Sequence, residues 1–405
     1  MNILICTIGF TLLFVGLSVG LLKRVLCING PFVAFWIGVA TGPVALGWAD
    51  PTVLGDPVRV LERVAWLTLA AAIMEGALRL PDQYVRNHAR TVAMLLGVVM
   101  PLMWLTGSGL SLAVLGLPLA SALLLGAVVT PTDPVISSTL VTGIEAETHI
   151  PGRLRHALTA ESTANDSLGY PLVMLAVALV GEASLTAWGL QHVVWGVGGA
   201  AVIGVGLGWG TGKILNVMRS HRDTEEASVM TLGLSLALLA LGTAKAAGSD
   251  GLLAVFTAGL AFRHTTAEDL ALREERMQEA VTRFFILPVF VVFGMLAPWR
   301  EWTELGWRGV GLVVAVLLLR RLPALLMTGR WIPVFTARAD AWLLGWFGPV
   351  GIAALYYACL ALRHTGQRQV WAAATEILFA SLCLHTVTAT PFTRWFGGAM
   401  ERRKV

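Results

Sequence analysis

The sequence predicts an all-α membrane protein that crosses a bilayer about thirteen times. Of its 405 residues, 56% are hydrophobic and only 13% are charged, whereas about a quarter of the residues of a soluble domain are charged. This apolar excess is too large for a buried core, so much of it must face lipid. The 43 glycines fit helices that pack closely or break within the membrane.

Charge and cysteine usage exclude several other classes. The net charge is +4, but no run of five or more basic residues occurs, so a nucleic-acid partner is not expected. The four cysteines lie singly and form neither a CxxC motif nor a disulfide framework. The first apolar stretch lacks a basic leader region and is interpreted as a retained helix. We expect one membrane domain over residues 1–396 and a short cytoplasmic tail over 397–405.

Apolar windows of about twenty residues mark the individual spans. Their predicted bounds are residues 3–22, 31–48, 61–79, 89–107, 111–142, 156–181, 187–217, 227–247, 250–263, 281–297, 307–328, 339–362 and 371–396. The fifth window is too long for one straight crossing, and Pro131 and Pro134 lie in its C-terminal half. We therefore expect this helix to be broken.

The basic residues sort by side when the basic C-terminus is placed in the cytoplasm. Roughly twenty Lys and Arg residues then fall in or beside cytoplasmic gaps, against six on the other side. This is the bias of the positive-inside rule. With an odd number of spans, the N-terminus is predicted to lie outside. The expected location is the cell membrane of a prokaryote.

A few charged residues lie inside the predicted spans, where each costs at least ~2.5–3.5 kcal/mol and is a candidate functional residue. They are Glu75, Asp133, Glu161, Asp166, Lys245, Arg320 and Arg321, with Asp250, Asp340 and Glu376 nearer the span ends. A structural ion pair or a charge reaching for the interface is the ordinary alternative for any one of them. Several carboxylates grouped in two neighbouring spans favour a functional site.

The first group is the Thr-Pro-Thr-Asp-Pro sequence at residues 130–134. Its two prolines remove backbone donors and free carbonyl groups within an apolar helix. Unwound backbone at membrane depth occurs only where it is buried in protein or lines a wet cavity. Helix ends at such a break supply partial charges that suit an ion.

The second group is the Glu-Ser-Thr-Ala-Asn-Asp sequence at residues 161–166. On a helix, Ser162 and Asp166 share one face, as do Glu161 and Asn165. These are all oxygen donors, which hard cations prefer. Burial favours the protonated form of a carboxylate, so a proton and a cation would compete for Asp166. Such competition at one site predicts coupled exchange.

Together these motifs resemble the monovalent cation:proton antiporter-1 family, which includes the NhaP-type and NHE exchangers. The family pattern of Thr-Asp-Pro followed by Glu-Ser-x-x-Asn-Asp is matched at 132–134 and 161–166, and its Glu-Gly-x-Leu motif at 75–78. The stretches GLLAVFTAGL at 251–260 and LLGWFGPVGIAALYYA at 343–358 are also similar. The resemblance covers nearly the whole membrane domain.

The resemblance implies a sodium/proton antiporter fold of inverted repeats with two crossing broken helices. Helices 4–6 and 11–13 would form an ion-carrying core, with the second break in the glycine-rich segment around Pro349. The other helices would form the interface of a homodimer. The implied function is electroneutral exchange of Na⁺, Li⁺ or K⁺ for protons by alternating access, with a role in pH homeostasis and without a cofactor or enzymatic activity.

The resemblance also implies roles for single residues. Asp166 would carry the cation or the proton in turn, and Na⁺ would be ligated by Asp166, Ser162 and Thr132. Glu75 would assist directly or through water, and Asn165 would hydrogen-bond Asp133. Glu161 would be neutralised by Arg320 or Arg321, of which Arg321 is preferred.

Departures from the family pattern occur at four positions in the site and its surroundings. Pro131 precedes Thr-Asp-Pro where alanine is usual, and Ser167 follows Asn-Asp where many relatives have glycine. Lys245 and Asp250 replace the usual Glu and Ser, and we expect either a local ion pair or a changed ion pathway or pH response.

Two other functions are compatible with parts of the pattern. A sodium-coupled organic-anion symporter of the same fold would need a larger polar cavity than one tight carboxylate cluster provides. An intramembrane hydrolase would use Ser162, His156 and Asp166, but His156 and Ser162 are six residues apart and face different sides of a helix.

Overall fold

A computed structural model describes residues 1–22, 28–133, 144–220 and 231–401 of the chain. Helices make up most of this part. In chain order they are α1 (Asn2–Leu21), α2 (Gly30–Thr41), α3 (Pro57–Arg79), α4 (Ala89–Leu115), α5 (Leu119–Val129), α6 (Ile144–His149), α7 (Gly152–Val180), α8 (Leu185–Arg219), α9 (Leu232–Ala246), α10 (Gly251–Thr265), α11 (Glu268–Leu296), α12 (Trp299–Leu319), α13 (Leu322–Thr328), α14 (Arg338–Trp346), α15 (Ile352–Thr365) and α16 (Arg368–Glu401). A short helix, Tyr84–Asn87, precedes α4.

Each of the thirteen predicted spans has a helical counterpart in the described residues. Six of these helices are long and apolar enough to cross a membrane by themselves, and several others are apolar but shorter. The all-α, multi-pass prediction is therefore confirmed. Several predicted boundaries are wrong. For example, α4 continues past the predicted end at 107 to Leu115 and ends at Gly116, whose φ of +68° suits the left-handed cap that glycine favours.

Local chemistry explains where several helices begin. Asn29 and Asp56 accept backbone N–H groups at the starts of α2 and α3, each followed by a proline in the first turn. Asp250 does the same for α10, where its Oδ1 accepts from the amides of Leu252 and Leu253 at 2.9 and 3.3 Å. Asp250 is thus a helix cap within the protein interior.

The predicted breaks occur in both expected segments. Helix α5 ends at Val129, and residues 130–133 have no helical assignment; Pro134 lies outside the described residues. Helix α14 ends at Trp346, and α15 begins at Ile352 after the unwound segment 347–351. The span predicted over 307–328 is not one continuous helix. Helices α12 and α13 are separated at Arg320 and Arg321, and the side chains of both arginines bind groups of other helices.

Helix α7 occupies the centre of the fold and carries the polar run of the second motif. It packs against α3, α5 and α15. Every residue from Glu161 to Ser167 is buried there. The contact with α3 is very close, since a Cβ atom on Gly76 would lie 2.2 Å from the Thr163 hydroxyl oxygen. The glycine of the Glu-Gly-x-Leu motif therefore allows α3 to approach α7.

Candidate functional site

Asp166 is the least satisfied carboxylate at the centre of α7. It is 2% exposed, and its Oδ1 has no hydrogen-bond partner. Its backbone carbonyl is held instead, because the Tyr357 hydroxyl donates to it at 2.5 Å. An interior carboxylate oxygen without a donor is costly unless a proton or a cation meets it.

Two hydroxyl groups and one amide link the first break to α7. The Asn165 Oδ1 accepts the Thr132 amide at 3.1 Å, and its Nδ2 donates to the Thr132 hydroxyl at 2.8 Å. The Thr132 hydroxyl in turn lies 3.3 Å from that of Ser162. Thr132, Ser162 and Asn165 are therefore one connected polar group. The expected hydrogen bond from Asn165 to Asp133 is replaced by these bonds to Thr132.

Asp133 contacts the second break instead. Its amide donates to the Pro349 carbonyl at 2.9 Å, and its Oδ2 accepts the Ile352 amide at 2.8 Å. The two unwound segments thus cross at Asp133, as the sequence predicts. The crossing requires glycine at position 351, because a Cβ atom there would lie 2.0 Å from the Asp133 Oδ2.

The two adjacent arginines have different partners. Arg321 forms a bidentate pair with Glu161, with both N···O distances at 2.6 Å, and its Nε donates to the Leu344 carbonyl. Arg320 instead donates to backbone carbonyls of both breaks, those of Val129 and Gly348. The preferred pairing of Glu161 with Arg321 is the one observed.

The charges of this cluster do not balance. Asp133, Glu161 and Asp166 supply three carboxylates, and Arg320 and Arg321 supply two guanidinium groups, all 4% exposed or less. When all five are ionised, one negative charge is left over. In a low-dielectric site that charge favours one bound monovalent cation or one proton.

Glu75 is paired with a residue outside this cluster. Its carboxylate contacts the Arg79 guanidinium one turn later on α3, and Arg79 also donates to Glu275 at 3.3 Å. No hydrogen bond or ion pair between described residues joins Glu75 to Asp166. Although Glu75 and Asp166 both belong to family motifs, the structure pairs Glu75 with an arginine.

Lys245 and Asp250 do not form the expected direct ion pair in the described part of the chain. The Lys245 Nζ lies 4.5 Å from the centroid of the Tyr170 ring, a cation–π contact. Asp250 caps α10, and its Oδ2 has no hydrogen-bond partner. Lys245 and Tyr170 line a cavity of about 370 Å³ that also contains the Glu62–Arg363 ion pair.

The hydrolase alternative lacks its geometry. The His156 ring packs edge-on against Tyr84, with the centroids 5.6 Å apart. No hydrogen bond between described residues joins His156 to Ser162, whose hydroxyl faces Thr132. A base beside the nucleophile is the first requirement of that mechanism.

The observed contacts of two site residues are not predicted from the sequence. Tyr357 lies within the similar stretch 343–358, yet nothing in its spacing indicates that its hydroxyl reaches the Asp166 carbonyl. For Arg320 the sequence predicts only a pairing with Glu161. One signal is available: a single glutamate balances the charge of only one of two adjacent arginines, so the other needs further acceptors, here backbone carbonyls of the two breaks.

Known proteins are similar to this chain in sequence. The sequence profile of the family described as sodium/hydrogen exchanger, transmembrane, matches residues 9–395. The chain is 29% identical over 347 residues to Na(+)/H(+) antiporter 2 of Zygosaccharomyces rouxii, covering 83% of this chain and 43% of that protein. It is 28% identical over 335 residues to a Na(+)/H(+) antiporter of Schizosaccharomyces pombe, covering 80% of this chain and 72% of that protein.

A solved structure has the same fold. The sodium proton antiporter MjNhaP1 from Methanocaldococcus jannaschii superimposes with a TM-score of 0.75 at 18% identity, covering 97% of both chains. At this identity the likeness concerns the fold alone. The chain spans less than half the length of the Zygosaccharomyces relative.

Proposed function

Because the chain belongs to the sodium/hydrogen exchanger family, we propose that it exchanges a monovalent cation for protons across a membrane by alternating access. The observation that carries this proposal is Asp166, a buried carboxylate with an unpartnered oxygen in a cluster with one unbalanced negative charge. Either a proton or a cation such as Na⁺, Li⁺ or K⁺ neutralises it. Since both compete for one charge, binding one releases the other.

The polar groups around Asp166 suggest how a cation is held. In this proposal Asp166 supplies the charge, and the hydroxyls of Ser162 and Thr132 supply neutral oxygen ligands to Na⁺. Asn165 keeps the Thr132 hydroxyl in place through its 2.8 Å hydrogen bond. Asp133 holds the crossing, and Glu161 is neutralised by Arg321.

One unbalanced charge also supports electroneutral exchange. The cluster carries the same total charge with one proton bound as with one monovalent cation bound. When the loaded site changes access from one side of the membrane to the other, it therefore carries the same charge with either ion. A complete exchange cycle then moves no net charge across the membrane. An organic-anion symporter would need further positive charge facing a polar cavity, whereas Arg320 and Arg321 are both occupied by backbone carbonyls and by Glu161.

Reconstitution into liposomes tests the proposed function. The liposomes have an acidic interior, whose pH is reported by a pH-sensitive dye. External Na⁺, Li⁺ or K⁺ is expected to release protons from them. External choline is expected to release none, and the three cations are expected to release none when the liposomes contain no protein. Imposing a membrane potential is expected to leave the rate unchanged. Exchange that follows the potential would exclude the one-for-one stoichiometry, and no cation-dependent proton release with any of the three ions would reject the function.

Glu75→Gln distinguishes an assisting ligand from a structural pair. Because Glu75 contacts Arg79 rather than Asp166, we expect the variant to keep the wild-type half-saturating cation concentration to within about threefold, with reduced thermal stability. Arg79→Gln serves as the matched variant, since it breaks the same pair from the other side. A tenfold or greater rise in half-saturation in Glu75→Gln alone would restore the role that the sequence predicts.

Orientation and assembly are also proposed. The charge bias supports a cytoplasmic C-terminus and an N-terminus on the opposite side, and the family resemblance supports a homodimer. The prediction of a prokaryotic cell membrane stays a prediction, since the similar proteins come from yeasts, a bacterium and an archaeon.

A further inference from the structure

The second unwound segment, residues 347–351, presents backbone groups that its flanking helices cannot satisfy. The last carbonyls of α14 and the first amides of α15 have no partners within those helices. Inside a membrane protein each such group must find another partner. Arg320, Arg321 and Asp133 bind the carbonyls of Gly348 and Leu344 and the amide of Ile352. The Trp346 carbonyl and the Val350 amide need other partners.

Two side chains of α16 supply them. The Val350 amide donates to the Ser381 hydroxyl oxygen at 2.8 Å, and the His385 Nε2 lies 3.1 Å from the Trp346 carbonyl oxygen. Ser381 and His385 are four residues apart and share one face of the helix. Both are buried, with exposures of 0% and 3%.

The same two side chains also contact each other. The His385 Nδ1 lies 3.2 Å from the Ser381 hydroxyl and 2.9 Å from the Ser381 backbone carbonyl oxygen. Both ring nitrogens therefore lie beside carbonyl oxygens, and a proton on Nε2 lets His385 donate to the Trp346 carbonyl. With the Val350 amide bound to the Ser381 hydroxyl oxygen, the two side chains hold the break at Trp346 and at Val350.

We propose that Ser381 and His385 are positioning residues that fix the second unwound segment for cation binding. The segment reaches the cluster through Ile352, whose amide holds the Asp133 Oδ2 at 2.8 Å. Anchoring Trp346 and Val350 to α16 sets where that amide lies. Loss of either anchor lets the segment shift and loosens the crossing beside Asp166. The inference rests on the proposed exchange function for its effect on transport, but not for its effect on the segment itself.

The segment is tested without transport by hydrogen–deuterium exchange of purified protein. In Ser381→Ala the Val350 amide loses its acceptor, so deuterium uptake over residues 347–352 is expected to rise about tenfold in rate. Ser381→Thr keeps the hydroxyl and is expected to restore protection. Thr393→Ala is the matched control, because it removes a buried hydroxyl of α16 that bonds only its own helix, at the Ala389 carbonyl. Uptake unchanged in Ser381→Ala would overturn the proposal.

Transport then separates positioning from a structural role. In His385→Ala the half-saturating cation concentration is expected to rise about tenfold. His385→Gln is expected to recover most of this rise, because its amide can donate to the Trp346 carbonyl and accept from Ser381. The double variant Ser381→Ala/His385→Ala is expected to lose less than the sum of the single effects, because both side chains anchor the same segment.

The outcomes distinguish the two proposals. Wild-type half-saturation in a folded His385→Ala, or a His385→Gln that behaves like it, would overturn the positioning role. If the wild-type protein exchanges no cation at all, the proposed function fails, while the deuterium-uptake result still decides whether the two residues fix the segment.

Discussion

Replacing Asp166 by asparagine is expected to reduce cation-dependent proton release at least about a hundredfold, because the only unbalanced charge of the described cluster disappears. Removing one member of a buried charge pair costs about 3–5 kcal/mol, and in this case the other member is the bound cation. Asparagine preserves the side-chain shape. It cannot bind and release a proton, so both halves of the exchange cycle are lost together.

The measurement uses proteoliposomes with an internal pH dye and equal amounts of folded protein. Asp82→Asn is the matched control, since Asp82 is an exposed aspartate whose partners, His264 at 2.9 Å and Gln83 at 3.4 Å, are also exposed. Exposed pairs contribute about 0–1 kcal/mol, so this variant is expected to exchange normally. Normal exchange by Asp166→Asn would show that another group carries the ion.

The second large effect concerns the stability of the pair between Glu161 and Arg321. Glu161→Gln and Arg321→Met are each expected to lose about 3–5 kcal/mol of folding free energy, because the remaining charge stays buried without its partner. The whole stability of a domain is about 5–15 kcal/mol. Both variants are therefore expected to give low yields of folded protein and a lower melting temperature in detergent.

The double variant gives a sharper test. Glu161→Gln/Arg321→Met removes both charges and is expected to recover part of the loss. Recovery is incomplete because Arg321 also donates to the Leu344 carbonyl at 2.7 Å. The control is Glu304→Gln, which breaks the exposed pair of Arg300 with Glu304; those side chains are 88% and 62% exposed, against 3% and 0% for Arg321 and Glu161. Equal losses in the buried and exposed pairs would contradict the argument.

The sequence predicts those features of the fold and the site that depend on one segment of the chain alone. Apolar windows locate the spans because the hydropathy of each segment can be evaluated without its neighbours. Pro131 and Pro134 indicate the first break, and Pro349 with the glycines around it indicates the second. The shared face of Ser162 and Asp166 follows from helical geometry alone. These predictions need no knowledge of neighbouring helices.

Partners across helices were harder to predict. Asn165 lies 33 residues from Thr132 and Arg321 lies 160 from Glu161, and choosing Thr132 over the adjacent Asp133 depends on which way the unwound backbone turns. The motif places Glu75 at the site, although Arg79 lies one turn away on the same helix and forms an ion pair with it. A motif identifies a residue type and its position, but it does not show whether that residue binds a neighbouring arginine or contributes to the site.

The crossing of the two breaks has a consequence for how this chain can change over evolutionary time. Asp133 accepts the Ile352 amide, Arg320 joins the carbonyls of Val129 and Gly348, and residue 351 has no room for a side chain while Asp133 is present. A substitution at one of these positions removes the reason for the residues at the others. We therefore expect positions 133, 320 and 351 to be inherited as a set, so that lineages that alter one of them alter its companions as well.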